Sequence, residues 1–334
     1  MPSGDLLNRL VDVVFETMRD CLKLEKGDST LIVSDRGSAD VALVISTAAR
    51  RLGVEPFIVN IDSLGRPLRA LPASIESLVE DIAPSYTFYV AGTLRGEGPF
   101  RAALIEKALS VGAGHVHMPK VTLGILGRLA GCRETAEIIS RLHDVLSSSR
   151  ELHVTSRGGS DVVVEVGRYR WRANTGIIGR GEWDNWPPGE VFTTPYRVDG
   201  RLVVDGVLGD YFSVKYGLLP EPVVVEFEDS MVADVRGGPI AKEFYDYISG
   251  AGECGLRAGE VGIGGNPHIK EPIGNMLHDE KMPGAHIAVG DPLGSATGAG
   301  WRCSVHVDML PLYSNVSADG RSIIREGVLL SSSS

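Results

Sequence analysis

The sequence predicts an α/β protein, with an N-terminal doubly wound parallel α/β domain followed by a mostly β (α+β) domain. Three observations carry that expectation. Helix-like and strand-like segments alternate through about the first 148 residues, the rhythm of a parallel sheet with helices on both faces. After Ser147-Ser-Ser-Arg150 the pattern changes to short apolar strands separated by glycines. Hydrophobic content of 43% and charged content of 23% are those of an ordinary globular chain, and 334 residues suffice for two cores.

Taken in order, Asp5 to Leu24 carries apolar residues at helical spacing and ends near Gly27. The apolar run Thr30–Ser34 follows as a strand, then Ala39–Leu52 as a helix stopped by Gly53. Pro56–Asn60 and Tyr86–Val90 read as strands, Phe100–Leu109 as a helix and His115–His117 as a short strand. In the second half, Leu152–Thr155, Val162–Glu165, Arg201–Val204 and Val223–Phe227 are strand-like. The pairs Asp199-Gly200 and Asp205-Gly206 suit hairpin turns between them. Ala241–Ser249 is the clear helix there. The expected division is therefore 1–148 and 149–330, with the low-complexity run Ser331–Ser334 beyond it.

Charge and cysteine usage narrow the partners. A net charge of −10 without clustered Lys or Arg argues against a nucleic-acid backbone as partner. No apolar run reaches the roughly 18–20 residues that cross a bilayer, and the opening MPSGDLLNRLVDVV lacks a signal-peptide pattern, so no membrane partner is expected. Cys21, Cys132, Cys254 and Cys303 form no CxxC pair. Reduced thiols and a cytoplasmic location are the expectation.

Several familiar motifs are missing. Gly262-Ile-Gly264-Gly265 and Gly290–Gly300 lack phosphate-loop spacing and read as tight turns at the mouth of a site. Asp35-Arg-Gly-Ser-Ala39, after the first strand, lacks GxGxxG, which argues against a nicotinamide cofactor. No GxSxG stands in the chain. His115 and His117 share one strand face and suit a structural polar contact better than a ligand role.

The C-terminal half holds a different pattern. In Cys303-Ser-Val-His-Val-Asp-Met-Leu310, His306 and Asp308 project to one face of an apolar strand. His286 sits between apolar neighbours in Gly284–Gly290, Glu260 opens Glu-Val-Gly-Ile-Gly264, and Glu190 lies in Trp186–Pro195. Such groups are costly to bury unless paired or ligating. Two histidines and three carboxylates form a borderline ligand set. It suits two Zn, Co, Mn or Mg ions sharing a bridging carboxylate, or a single Fe(II) held by part of the set.

These segments resemble those of the thermophilic metallo-aminopeptidases of the aminopeptidase T family. The matching pieces are Pro188–Pro195, Gly259–Pro267, Gly274–Lys281, His286–Gly290 and His306-Val-Asp308. The resemblance implies a dinuclear metal centre on Glu190, Glu260, His286, His306 and Asp308. Glu190 and Glu260 would carry the catalytic work, with one carboxylate bridging the ions or acting as general base. It also implies a small peptide or small-molecule substrate and a homodimer. A tyrosine that many members place about seven residues after the equivalent of His286 is absent here, where Asp291-Pro-Leu293-Gly294 stands.

Other segments are similar to the 2,5-dihydroxypyridine ring-cleaving dioxygenases: Ser156–Asp161, Gly181–Pro187, Gly206–Asp210 and Leu277–Asp279. That likeness implies one Fe(II) bound through His306 and Asp308, with Glu260 where the other iron histidine falls and Asn185 where a substrate histidine falls. Trp183 and Trp186 would then wall an aromatic pocket. The ligand set points to a metallo-aminopeptidase, and the alternative is an Fe(II) dioxygenase acting on a dihydroxypyridine-like ring.

Overall fold

The computed structural model describes residues 4–94 and 96–330, so the Ser331–Ser334 run lies outside the described residues. The chain divides into two compact units. One is Met1–Ala136 with Asn174–Pro188, and the other is Glu137–Ala173 with Gly189–Ser334. The single boundary expected near residue 149 thus becomes three crossings, the first inside a helix. The segment 174–188 returns to the first unit because it supplies a further strand to that unit's sheet.

The first unit runs α1 (Gly4–Cys21), β1 (Ser29–Ser34), α2 (Ala39–Arg51), β2 (Glu55–Asn60), α3 (Ala73–Ile82), β3 (Tyr86–Tyr89), α4 (Gly98–Ser110), β4 (Gly114–His117) and α5 (Leu123–Leu126). Helix α6 (Cys132–Ser148) leads into the second unit. There the chain forms β5 (Glu151–Thr155), β6 (Asp161–Glu165) and β7 (Arg172–Asn174), and β8 (Trp183–Asn185) then belongs to the first unit. Strands β2-β1-β3-β4-β8 make an all-parallel sheet. Alternation along β1 sends Ile32 into a core with α1 and α2, and Leu31 and Val33 into another with α3 and α4. Helices therefore cover both faces, as the doubly wound expectation requires. Missing from the sequence reading were α3, α5 and α6.

At the carboxyl ends of β1 and β3 the unit buries an ion network. The Arg66 guanidinium lies 2.8 Å from Asp35 Oδ2 and 2.6 Å from Glu97 Oε2, and donates to the Gly92 carbonyl. Burial alone would raise the Asp35 carboxyl, but donors from Gly92, Arg66 and Ser38 outweigh it and hold it below the ordinary range. Arg66 thus satisfies the strand end that carries Asp35-Arg-Gly-Ser.

The second unit continues with β9 (Glu190–Thr193), β10 (Arg197–Val204), α7 (Asp210–Tyr216), β11 (Val223–Glu228), β12 (Met231–Arg236) and α8 (Pro239–Ser249). It ends with β13 (Ala258–Gly264), α9 (Met276–Asp279), β14 (Gly284–Gly290), α10 (Gly294–Thr297), β15 (His306–Met309), β16 (Asn315–Ala318), β17 (Arg321–Arg325) and β18 (Val328–Leu329). Two sheets result: β12-β11-β10-β6-β5-β16-β17-β18 and β15-β14-β13-β9-β7. One apolar core takes the inward residues of both, from Leu152, Val162 and Val225 to Val261, Ile287 and Met309. Asp199-Gly200 is not a turn. It lies inside β10, where a Cβ on Gly200 would meet the Asp161 carbonyl at 2.3 Å, so the glycine serves a close backbone approach.

The cysteine expectation is overturned. Cys21 pairs with Cys132 and Cys254 with Cys303, at Cα separations of 6.8 and 5.6 Å. The partners stand 111 and 49 residues apart, and spacing in sequence carries no signal of such contacts. No helix among the described residues is long and apolar enough to cross a membrane.

Replacing Arg66 by Leu leaves two buried carboxylates without a counter-charge and is expected to lower unfolding free energy by roughly 3 kcal/mol. Urea denaturation at neutral pH checks it. An unchanged midpoint would show that the network contributes nothing.

Candidate metal centre

Register builds this site. Along β13, β14 and β15 alternate residues face opposite ways, so Val261, Ile263, Ala285, Ile287, Val289, Val307 and Met309 enter the core. The intervening positions form the opposite face. In the cross-strand pairs, Glu190 stands opposite Gly264, Gly262 opposite His286, Ala288 opposite both Glu260 and Asp308, and Gly290 opposite His306. All five residues singled out in the sequence therefore share one sheet face. Between them lie Gly262, Gly264, Gly284, Ala288 and Gly290, whose small size leaves the room for imidazoles and carboxylates.

Gly262 shows how strict that requirement is. A Cβ there would lie 2.1 Å from His286 Nε2, inside contact distance. Gly262-Ile-Gly264 is thus strand interior rather than the tight turn expected, and its first glycine makes space for a ring on the neighbouring strand.

The polar atoms converge in two groups that share Glu260. In the first, His286 Nε2 lies 3.4 Å from Glu260 Oε1 and 3.5 Å from Glu190 Oε2. In the second, His306 Nε2 lies 3.4 Å from Glu260 Oε2 and 3.3 Å from Asp308 Oδ1. Each group could hold a metal ion. Two ligands at bonds of about 2.1 Å on a tetrahedral cation sit about 3.4 Å apart, which is the spacing found, whereas charge-assisted hydrogen bonds close to about 2.8 Å. Glu260 Oε2 is buried without a hydrogen-bond partner, a further sign that the donors fit a cation. His306 Nδ1 bonds the Asp291 carbonyl at 2.8 Å, which turns Nε2 toward the carboxylates.

Electrostatics follow from burial and crowding. Burial pulls His286 down, but Glu260, Glu190 and Asp308 outweigh it and hold the imidazole up at about 9. His306 is likewise raised well above its ordinary value by Asp308 and Glu260 against burial. Asp308 is held down at about 2, the His306 charge overcoming burial, while burial raises Glu260. The site therefore favours positive charge among its carboxylates.

Two residues escaped sequence reasoning although they lie in a quoted segment. Lys281 is fully buried, and its ammonium bonds Glu190 Oε1 and, at 2.6 Å, Glu280 Oε1. Burial pushes the Glu280 carboxyl up to about 8. The sequence offers only the charge run Asp279-Glu280-Lys281, which reads as readily as a solvated face.

The remaining candidates lie in the first unit and form their own contacts. His115 Nδ1 meets Thr87 Oγ1 at 2.7 Å and its Nε2 meets His117 Nδ1 at 3.2 Å. Burial pushes His115 down to about 3 and His117 lower than usual too, so both are neutral, as a structural polar contact requires. Trp186 is core, edge-on to Phe88, while Trp183 is partly exposed.

Residues 115–331 match the family described as 2,5-dihydroxypyridine 5,6-dioxygenase (NicX). The chain belongs to that family. A curated member from Pseudomonas putida KT2440, the 2,5-dihydroxypyridine 5,6-dioxygenase, is 29% identical over 127 residues. That match spans 37% of this chain and 36% of the relative, about a third of its length. The solved 2,5-dihydroxypyridine dioxygenase from the same organism superposes with a TM-score of 0.75 at 17% identity, covering 99% of each chain. Wild-type AmpT from Thermus thermophilus superposes with a TM-score of 0.73 at 18% identity, covering 97% of this chain and 99% of that one. At these identities the two structures establish a common fold, as both resemblances led one to expect.

Gly262→Ala should displace the His286 ring and weaken metal binding by about 10–100-fold with the fold intact. Competition with a chromogenic chelator measures it. Wild-type affinity in a folded variant would show that His286 does not depend on this gap.

Proposed function

We propose that the chain is a metal-dependent hydrolase, most simply an aminopeptidase, whose ligands are Glu190, Glu260, His286, His306 and Asp308. The observation that carries this reading is Glu260, shared between two groups of one histidine and two carboxylates each. A non-haem Fe(II) oxygenase centre calls for two histidines and one carboxylate around one ion. No group of that composition comes together among the described residues.

A divalent cation bound here supplies Lewis-acid polarisation of a carbonyl and acidifies a water towards neutrality. The chain's own residues do the rest. Glu260 Oε2, free of hydrogen bonds, is the carboxylate oxygen open to a ligand or a proton. Lys281 fixes the Glu190 carboxylate and donates as well to Glu280, whose carboxyl burial raises above its ordinary range. His306, with a quarter of its side chain exposed, marks the side on which a substrate enters. The acidic cluster suits a cationic amino terminus.

A second reading, ring cleavage of a dihydroxypyridine-like substrate, is favoured by membership of the dioxygenase family over residues 115–331. Under it, Fe(II) would bind Glu260, His306 and Asp308, which do stand together.

Elemental analysis of anaerobically purified protein, with two activity assays, separates them. The hydrolase reading expects Zn, Co or Mn and cleavage of amino-acid p-nitroanilides that is lost on chelation and restored by the metal. Iron in the protein with oxygen uptake on 2,5-dihydroxypyridine, and no p-nitroanilide cleavage, would overturn it.

A further inference from the structure

Lys281 makes the two candidate metal positions unequal. Its ammonium reaches Glu190 Oε1 and Glu280 Oε1 from a position with no solvent exposure, and so brings a fixed positive charge to the Glu190 side of the cluster. Oε2 is the Glu190 oxygen that faces an ion at the Glu190–Glu260–His286 position. A divalent cation there must also sit beside the ammonium, which repels it strongly in a buried setting.

The histidines point the same way independently. His306 Nδ1 is anchored by the Asp291 carbonyl, the outer partner that orients a ligating imidazole. His286 Nδ1 is buried and finds no partner among the described residues. The Glu190–Glu260–His286 position thus has an ammonium in direct contact with one of its ligands and an unsupported imidazole. At the Glu260–His306–Asp308 position no ligand touches the ammonium and the imidazole is anchored.

We propose that Lys281 acts as a built-in cation that lets the Glu260–His306–Asp308 position bind one divalent ion tightly and leaves the Glu190–Glu260–His286 position weak and exchangeable. The inference rests on the ligand set assigned under the proposed function. In chemical terms Lys281 sets metal stoichiometry: one retained ion, and a second that binds only when its free concentration is high. It is a positioning residue acting through Glu190.

The test is calorimetric titration of the full chain, stripped by chelation, with Zn²⁺ alone, and Zn counted per chain after gel filtration. Wild type should keep one Zn²⁺, with the second at least about tenfold weaker. Lys281→Met should bring the second ion to an affinity near the first and retain two. Lys281→Arg, which keeps the charge, should behave as wild type. Independently of whether Lys281→Met folds, His286→Ala should keep the tight ion and His306→Ala should lose it. Two ions of equal affinity in wild type, or a folded Lys281→Met that still retains one, would overturn the inference and leave the metal site standing. Zn²⁺ bound by none of the proteins would overturn the site assignment and the inference together.

Discussion

Three carboxylates, Glu190, Glu260 and Asp308, share one largely buried sheet face, and the rest of the second unit is arranged around compensating them. Ionised carboxylates out of water are tolerable only beside positive charge. Lys281 supplies one such charge, and His286 and His306 are both poised to carry or bind another. Spacings of 3.3–3.5 Å between the histidine and carboxylate atoms leave the gaps a cation fills.

Sheet geometry makes that concentration of charge compatible with folding. The same strands that carry the ligands send Val261, Ile263, Ile287, Val289, Val307 and Met309 into the core between the sheets. Each strand is thus anchored by its apolar residues while it presents its polar ones. Gly262, Gly264 and Gly290 weaken a strand intrinsically, yet here they buy the open floor on which the rings and carboxylates lie. The Cys254–Cys303 disulfide joins the segment before β13 to the segment before β15, close in sequence to both Glu260 and His306.

Much of this was legible beforehand, and what was not has physical causes. The period of two in His306-Val-Asp308 reveals side-chain direction, and His286, Glu260 and Glu190 stood out as polar groups in apolar or glycine-bounded segments, which is why five scattered residues could be grouped. Lys281 was opaque because its partner Glu190 lies 91 residues away. Asp199-Gly200 misled because an Asp-Gly pair serves a close strand contact as readily as a turn. The disulfides depend on contacts across 111 and 49 residues, and the excursion at 174–188 depends on which sheet edge is free, neither of which local pattern encodes.

The family match and the ligand chemistry pull in different directions: residues 115–331 belong with dihydroxypyridine dioxygenases, while the polar face groups one histidine with two carboxylates twice over. A shared fold does not dictate which chemistry a site performs. Everything above turns on Glu260 as the carboxylate common to both groups. The most direct measurement is the metal content of Glu260→Gln beside wild type, each reconstituted with Zn²⁺ and checked for fold by circular dichroism. A folded variant that has lost its metal is the predicted result; one that retains the wild-type amount would contradict the account.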